Sequence, residues 1–326
     1  MKLEAFVKKI VFIIGAGRSG STILDRTLGH HSPAFSTGEI INFNRELEKG
    51  FSLCGCGINF RHCPFWNEIF EELYSRTGIN VLSENWRFDI SFSHGYKGIR
   101  RRIYQLDFAQ SLLFKSKLRD PIIANHIARQ ELLYDVIFDK TRCELIVDSS
   151  KNLRRALLLA NHLKDVRFYF LHLVRDGRAV LQSTQKDHYD AVMYDDQKGE
   201  KVRRRYPSAP IPPKASILTW KRDNYRILNA KHLFFKNNYF IIRYEDFCNE
   251  PKKTLKDLLS AIGLDFEEKM LVFQFGDNHI IGGNSSRLNA LVIQPPSDSW
   301  KQDLSPENLR LFDRIAGRMN RRFGYE

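Results

Sequence analysis

The stretch VFIIGAGRSGSTIL, residues 11–24, joins a short apolar run to a glycine-rich turn and then to hydroxyl side chains. Gly15, Gly17 and Gly20 match the G-x-G-x-x-G pattern of dinucleotide-binding turns, in which glycines let the backbone approach phosphate oxygens. An apolar run that ends in such a turn is typical of a buried strand followed by the N-terminus of a helix. The stretch therefore predicts a strand, an anion-binding turn and a helix.

The same turn fits the G-x-x-x-x-G-K-[ST] pattern of nucleoside triphosphate loops except at the lysine. Gly15, Gly20 and Thr22 match this pattern, whereas Ser21 stands at the lysine position. Because a triphosphate with magnesium needs the loop lysine, its absence argues against that ligand. Arg18, three residues earlier, offers a planar fork of donors that suits a different anion.

A dinucleotide site also needs a second buried strand that ends in an acidic residue. Glu39 lies at about the right distance, but the preceding residues, HHSPAFSTGE, contain no convincing buried strand. We therefore expect no strand there and disfavour a dinucleotide. The turn alone does not decide between the remaining anions.

Four short apolar runs are typical of buried parallel strands, and stretches with helical spacing separate them. This alternation predicts one α/β domain over residues 1–326, a three-layer fold of the phosphate-loop type with a central parallel sheet flanked by helices. The runs are residues 10–15, 144–149, 167–175 and 239–244, and the helical stretches are residues 121–140, 153–163, 215–235 and 251–262.

Polar side chains follow each of these runs. Because ligands of parallel α/β sheets bind at the carboxyl ends of the strands, we expect these side chains to form one anion site. Between residues 185 and 213 the chain becomes polar, aromatic and proline-punctuated, which predicts an excursion that acts as a lid or binds an acceptor. The polar groups after the strands include Arg18, Ser19, Ser21, Asp148, Ser149, Lys151, Arg175, Asp176, Glu245 and Asp246.

The chain of 326 residues carries a formal net charge of +13, which indicates an anionic ligand, acceptor or surface. Signatures of RNA-recognition, zinc-finger and basic-zipper domains are not found in the sequence, so no nucleic-acid partner is predicted. No apolar run approaches the roughly 18 residues of a membrane span, and no signal-peptide cleavage pattern follows the first apolar run. We therefore expect a soluble, cytoplasmic protein.

Three of the five cysteines, Cys54, Cys56 and Cys63, cluster in the segment CGCGINFRHCPFW together with His62. A zinc site that includes His62, a disulfide within the cluster, and plain packing of small thiols beside aromatic side chains are all compatible with this pattern. The C-x-C spacing is tight for two ligands of one tetrahedral ion. We therefore favour packing and assign no metal ligand.

Two segments together resemble the sulfotransferases that use 3′-phosphoadenosine-5′-phosphosulfate (PAPS). These are RSGST after the first strand and LVRDGRAVLQS after a later one, the latter in a form close to the tyrosylprotein branch. The resemblance implies that the first segment binds the 5′-phosphosulfate and that Arg175 and Ser183 bind the 3′-phosphate. The residues assigned to the cofactor are Gly17, Arg18, Ser19, Gly20, Ser21, Thr22, Arg175, Ser183 and Tyr244.

Further segments extend the resemblance over most of the chain. IVDSSK resembles a family segment that carries a lysine, here Lys151, near the transferred group, and HIIGGNSSR, residues 279–287, resembles a late loop that closes over the nucleotide. Glu39 matches the base of the tyrosylprotein branch, with His30 or His31 as the alternative. The catalytic residues expected are thus Glu39, Lys151 and Arg18.

The resemblance implies transfer of a sulfuryl group from PAPS to a hydroxyl of a carbohydrate, glycolipid, phenol or tyrosyl acceptor. The product nucleotide would be 3′,5′-adenosine diphosphate (PAP), and no metal would be required. Two alternatives stay open from the sequence: a small-molecule kinase that uses Lys151 in place of the loop lysine, and a non-enzymatic module that binds an anion or acidic glycan.

Overall fold

The computed structural model describes residues 7–82, 121–195, 200–234, 237–274, 276, 278–288 and 291–326. Its central sheet has five parallel strands in the order β2-β3-β1-β4-β7. The strands are β1 Lys8–Ile14, β2 Ala34–Gly38, β3 Leu145–Lys151, β4 Val166–Val174, β5 His188–Asp195, β6 Glu200–Pro207, β7 Tyr239–Arg243, β8 Val272–Phe273 and β9 Leu291–Val292.

Helices cover both faces of this sheet. The helices are α1 Ser21–Gly29, α2 Phe43–Lys49, α3 Pro64–Thr77, α4 Pro121–Thr141, α5 Leu153–His162, α6 Gly177–Thr184, α7 Pro213–Phe234, α8 Tyr244–Asn249, α9 Pro251–Ile262, α10 Trp300–Asp303, α11 Pro306–Phe312 and α12 Arg318–Arg322.

Strand β1 explains why the fold has three layers. Successive side chains of a strand point to opposite faces, and those of β1 enter two different cores. Phe12 packs with Trp66 of α3 and the helices α4 and α5, whereas Ile13 packs with Leu24 of α1 and Leu255 of α9. Because both faces of the strand are buried in apolar cores, its residues form a continuous apolar run in the sequence. The predicted α/β fold is confirmed, and the predicted strands and helices have ends within two residues of the observed ones.

The expectation of no strand before Glu39 is wrong, because β2 occupies Ala34–Gly38. Two of its buried side chains are polar and carry hydrogen bonds, so the strand lacks an apolar pattern. Ser36 donates to Asp25 Oδ2 at 2.6 Å, and Thr37 donates to the carbonyl of Val147 at 3.0 Å.

The position of β2 nevertheless excludes a dinucleotide fold. In the common dinucleotide-binding order the second strand pairs with the first. Here β3 lies between β1 and β2, and β2 pairs with β3 alone in the sheet. The conclusion drawn from the sequence therefore holds, although the reason for it is strand order and not the lack of a strand.

The excursion predicted at residues 185–213 contains an antiparallel hairpin of β5 and β6, which the sequence analysis did not foresee. Its role as a lid or acceptor-binding segment stays a prediction. Among the described residues, no helix is both long and apolar enough to cross a membrane.

A buried polar network holds the carboxyl end of β3. The guanidinium of Arg155 donates to Asp148 Oδ2 at 2.5 Å and to Gln130 Oε1 at 2.6 Å, and Tyr134 donates its hydroxyl to the same Asp148 oxygen at 2.5 Å. Asp148 also accepts from the amide of Ser150 at 2.9 Å, within the last residues of the strand. The network therefore holds the end of β3 that carries Lys151.

Because it would leave the Asp148 carboxylate buried without its charged partner, the substitution Arg155→Ala should lower the free energy of unfolding by about 3–5 kcal/mol. Urea denaturation followed by circular dichroism measures this. The neighbouring exposed Arg154 provides the matched control, and Arg154→Ala should change the same quantity by less than about 0.5 kcal/mol. Equal effects of the two substitutions would contradict the proposed importance of the network.

Candidate active site

The turn after β1 forms a cradle at the N-terminus of α1. Gly20 caps the helix with φ of +88°, and a Cβ at this position would overlap the ring of Tyr244. A Cβ at Gly15 would overlap the carbonyl oxygen of Leu173 on β4. Both glycines are therefore required by close approaches. Since Gly20 has no side chain, it leaves the first amide groups of α1 to bind an anion.

The two sequence motifs meet at this cradle. Arg18 Nε donates to Ser183 Oγ at 2.8 Å, although 165 positions separate the residues. Arg175 Nη1 donates to the carbonyl of Arg18 at 3.1 Å, and its guanidinium lies 4.8 Å from the centre of the Tyr244 ring. Arg18, Arg175, Ser183 and Tyr244 therefore line one continuous site, as the pairing of β1 with β4 requires.

The hydroxyl groups of the cradle have different environments. Ser19 Oγ is buried and has no hydrogen-bond partner within the described part of the chain. Ser21 Oγ accepts from Lys151 Nζ at 3.2 Å, and Thr22 Oγ1 accepts from the amide of Asn284 at 3.3 Å. A buried hydroxyl without a partner is costly. Of the three residues, only Ser21 and Thr22 line the open cavity beside the turn.

Lys151 and Glu39 form the opposite side of the cradle. Lys151 Nζ donates to Glu39 Oε1, and Asn42 Nδ2 donates to Glu39 Oε2 at 2.8 Å. The amide of Glu39 donates to the carbonyl of Ile281 at 2.8 Å, which ties it to the loop at residues 278–288. The Glu39 carboxylate is therefore held by both oxygens and stays accessible, since its side chain is 19% exposed.

Asp25 of α1 is a buried carboxyl beneath this cradle that the sequence analysis did not single out. Burial raises its pKa to about 8, against the opposing effect of the hydrogen bond from Ser36. At neutral pH the carboxyl therefore keeps its proton, and it adds no negative charge under an anion site.

Around the cradle lies a cavity of about 740 Å³. It is lined by every residue assigned to catalysis or to the cofactor except Ser19, which is buried. The other polar groups expected at the strand ends do not line it: Asp148, Ser149, Asp176, Glu245 and Asp246. Cationic side chains outnumber the two carboxylates, Glu39 and Glu46. The cations lining it are Arg18, Arg45, Lys49, Lys151, Arg175, Lys186, Arg203 and Arg287.

A family model described as "Sulfotransferase family" matches residues 11–268, which contain both motifs and the greater part of the cavity. The chain belongs to the sulfotransferase family. The resemblance inferred from RSGST and LVRDGRAVLQS is thereby confirmed, and the protein is a sulfotransferase enzyme. No curated protein matches the chain in sequence.

A solved sulfotransferase structure shares the fold, and a second one is similar to the chain at a lower TM-score. The sulfotransferase domain from the curacin biosynthetic pathway has a TM-score of 0.52 at 19% identity, with 99% of each chain covered. The sulfotransferase domain of the olefin synthase from Synechococcus PCC 7002 has a TM-score of 0.47 at 18% identity, with 97% of this chain and 98% of that chain covered. At such identities the likeness shows the fold alone.

Two cations of this sulfotransferase's cavity, Arg45 and Lys49, were not foreseen, whereas Lys186 and Arg203 belong to the excursion predicted at residues 185–213. Arg45 and Lys49 stand four residues apart on α2, a spacing that places them on one helix face and could have indicated a basic surface. Nothing in the sequence places that surface at the same cavity as RSGST. The position of α2 depends on the strand order, because α2 follows β2 and β2 pairs with β3.

The histidines named as alternative bases do not line the cavity of this sulfotransferase. The ring of His31 lies 2.6 Å from the carbonyl oxygen of Asp265, and the ring of His30 packs edge-on against Phe273. Both belong to the packing at the far end of α1. Glu39 is therefore the better placed of the candidates.

The close approach at Gly20 has a testable consequence. Because the turn combines positive φ with contact to the Tyr244 ring, Gly20→Ala should lower the free energy of unfolding of the free sulfotransferase by about 1–3 kcal/mol. Gly17 is the matched control, since a Cβ there meets nothing within 4 Å. Differential scanning calorimetry of both variants without ligand measures the effect, and an unfolding temperature unchanged by Gly20→Ala would refute the constraint.

Proposed function

We propose that this sulfotransferase transfers a sulfuryl group from PAPS to a hydroxyl group of its acceptor. The observation that carries the proposal is the 2.8 Å hydrogen bond between Arg18 and Ser183, since it joins the turn after β1 to the helix after β4. A nucleotide with anionic groups at its 5′ and 3′ ends needs two adjacent anion sites of this kind. The donor, the acceptor and the role of each residue below belong to this proposal.

The residues of the cavity fit such a nucleotide. The N-terminus of α1 offers free amide groups to the 5′ end, whereas Ser19, which does not line the cavity, has a buried hydroxyl without a partner in the described chain. Arg175 and Ser183 would bind the 3′-phosphate, with Arg175 able to use its planar fork of donors. The Arg175 Nε atom is buried and likewise has no partner among the described residues. The ring of Tyr244, which lies between Gly20 and Arg175, would form one wall of the nucleotide site.

PAPS supplies the activated sulfuryl group when it is bound, and the chain's own residues bind, orient and move a proton. Glu39 would accept the proton of the acceptor hydroxyl, because Asn42 and Lys151 hold its carboxylate in a fixed orientation at the cavity wall. Lys151 and Arg18 would stabilise the negative charge that develops on the leaving side. Lys151 is suited to this, since the same amino group also contacts Ser21 of the cradle.

The acceptor would enter beside α2 and the hairpin of β5 and β6. These two elements contribute to the cavity lining the cations Arg45, Lys49 and Arg203 and the apolar side chains of Val192 and Met193. Such a lining suits a hydroxyl-bearing acceptor with an anionic group and an apolar face, as in a charged saccharide, a glycolipid or a phenol. The proposal leaves the choice within that class to an acceptor screen.

Removal of the proposed 3′-phosphate ligand should weaken the binding of PAP. Because Arg175 would contribute charge-assisted hydrogen bonds, Arg175→Ala should raise the Kd for PAP by about 10–100-fold, corresponding to about 1.5–3 kcal/mol. Isothermal titration calorimetry measures this, with ATP and magnesium in a parallel titration to represent the kinase alternative.

The control for this experiment lies on the same strand. Arg167 is exposed at the opposite end of β4, so Arg167→Ala removes the same charge without touching the cavity and should leave the Kd for PAP unchanged. A tight complex with ATP and magnesium, or unchanged PAP affinity in Arg175→Ala, would overturn the assignment.

Replacement of the proposed base should separate binding from turnover. Glu39→Gln keeps the shape of the side chain but removes its charge, one acceptor oxygen and the proton acceptor, so PAP affinity should be retained while kcat falls by about 100–10,000-fold. Transfer of labelled sulfate from PAPS to an acceptor found by screening gives kcat. Glu46→Gln is the control, because Glu46 lines the same cavity but is bound by Lys49 and Ser52. Normal turnover in Glu39→Gln, or an equal loss in Glu46→Gln, would move the base elsewhere.

A further inference from the structure

Three thiols and one imidazole meet outside the nucleotide cradle. Cys54 and Cys56 belong to the turn before residue 59, Cys63 precedes α3, and His279 lies more than 200 residues further along the chain. The four ligand atoms, three Sγ and one histidine nitrogen, all lie within 4.8 Å of one another. His62, the histidine that the sequence offered, is exposed and does not belong to the group.

Three of the six distances between the ligand atoms agree with the edges of a metal tetrahedron, and the other three are at most 4.8 Å. Zn–S bonds of about 2.3 Å and a Zn–N bond of about 2.0 Å place two ligand sulfurs about 3.8 Å apart and a sulfur about 3.5 Å from the nitrogen. Here Cys56 Sγ lies 3.7 Å from Cys63 Sγ, and His279 Nδ1 lies 3.5 Å from Cys63 Sγ and 3.6 Å from Cys54 Sγ. A disulfide would need about 2.05 Å between sulfurs, and all three cysteines are free thiols.

The surrounding chain holds the four side chains in this arrangement. A Cβ at Gly55 would overlap the side-chain oxygen of Asn278, so only glycine fits between the first two cysteines. Phe65 stacks on the ring of His279 at 4.5 Å between centroids, and Trp66 Nε1 donates to the His279 carbonyl at 2.9 Å. These contacts fix the ring and its backbone, as the outer contacts of metal ligands commonly do.

Packing of small thiols does not account for the imidazole. A half-buried histidine whose Nδ1 lies within 3.6 Å of two thiol sulfurs is a polar group directed at polar groups, whereas apolar packing would exclude it. The cluster also has buried members, since Cys54 and Cys63 are fully buried. We propose that Cys54, Cys56, Cys63 and His279 bind one zinc ion as a closed, tetrahedral structural site.

Binding requires that the thiols release their protons to solvent as the three Zn–S bonds and one Zn–N bond form. Three thiolates and one divalent cation leave a net charge of −1 at the site. The buried guanidinium of Arg287 lies close enough to Cys54 to interact with its charge, and it donates to the carbonyl of Leu53 at 3.1 Å. With four protein ligands, the ion has no open position for a substrate, which distinguishes it from a catalytic zinc.

The ion would join two segments that wall the cavity. The segment carrying the cysteines contributes Phe51, Ser52 and Leu53 to the cavity, and the loop that follows His279 contributes Gly282 and Gly283. The proposed site therefore fixes the distance between the acceptor side and the nucleotide side without taking part in sulfuryl transfer.

The test is the metal content of the full-length, untagged protein, purified under reducing conditions and measured by inductively coupled plasma mass spectrometry. We expect about one zinc per chain, as one tetrahedral site requires. Cys63→Ser and His279→Ala should lose most of it. The matched controls Cys143→Ser and His62→Ala, which change the same residue types outside the cluster, should keep it. Protein that stays metal-free after incubation with zinc and reductant, or controls that lose as much zinc as the ligand variants, would overturn the proposal.

A second measurement uses the unaltered protein, so it tests the proposal even where the ligand variants fail to fold. Cobalt exchanged into the site should give the visible absorption of a tetrahedral cobalt–thiolate centre, and a chelator should expose Cys54, Cys56 and Cys63 to alkylation in peptide mass spectra. An octahedral cobalt spectrum, or a disulfide among these cysteines in freshly purified protein, would refute the site. Neither readout uses nucleotide or acceptor, so failure here is distinct from failure of the proposed transfer.

Discussion

The parallel pairing of β1 between β3 and β4 is the constraint on which the cradle depends. It brings the turn after β1 beside the ends of both neighbours, so that Arg18 reaches Ser183 on one side and Lys151 reaches Ser21 on the other. Because β2 pairs with β3 in turn, Glu39 arrives next to Lys151. A different strand order with the same sequence segments would separate these groups.

The loop at residues 278–288, which lines the cavity beside the cradle, depends on a second set of long-range contacts. Arg26 of α1 is buried and donates to the carbonyls of Ser286 at 2.9 Å and Gln274 at 3.2 Å. Arg287 reaches the carbonyl of Leu53, and the amide of Glu39 reaches that of Ile281. Cations bonded to backbone oxygens thus help to hold the loop at residues 278–288, in which Ile280, Ile281 and Leu288 are also buried. The proposed zinc site would add a further tie between the same segments.

The chain as a whole and the lining of the cavity both carry an excess of positive charge. The cavity concentrates cationic side chains around a helix N-terminus, and Asp25 beneath it stays neutral because burial raises its pKa to about 8. Positive potential in a cavity with low-dielectric walls attracts anions and holds them after desolvation. The net charge of +13 therefore agrees with the cationic lining of the cavity, whereas it says nothing about the fold.

Periodic apolar runs, the glycine turn and the pair of motifs are local properties of the chain. From these properties the sequence by itself determined the α/β class, the strands that are buried on both faces, and membership of the sulfotransferase family. Tertiary structure alone decided what depends on distant partners. Strand β2 escaped detection because its buried polar side chains bond to Asp25 and Val147. Likewise, the histidine that joins the cysteines is His279 and not His62, the neighbour of Cys63 in the sequence. Membership of such a cluster depends on distances in space, which only the folded chain sets.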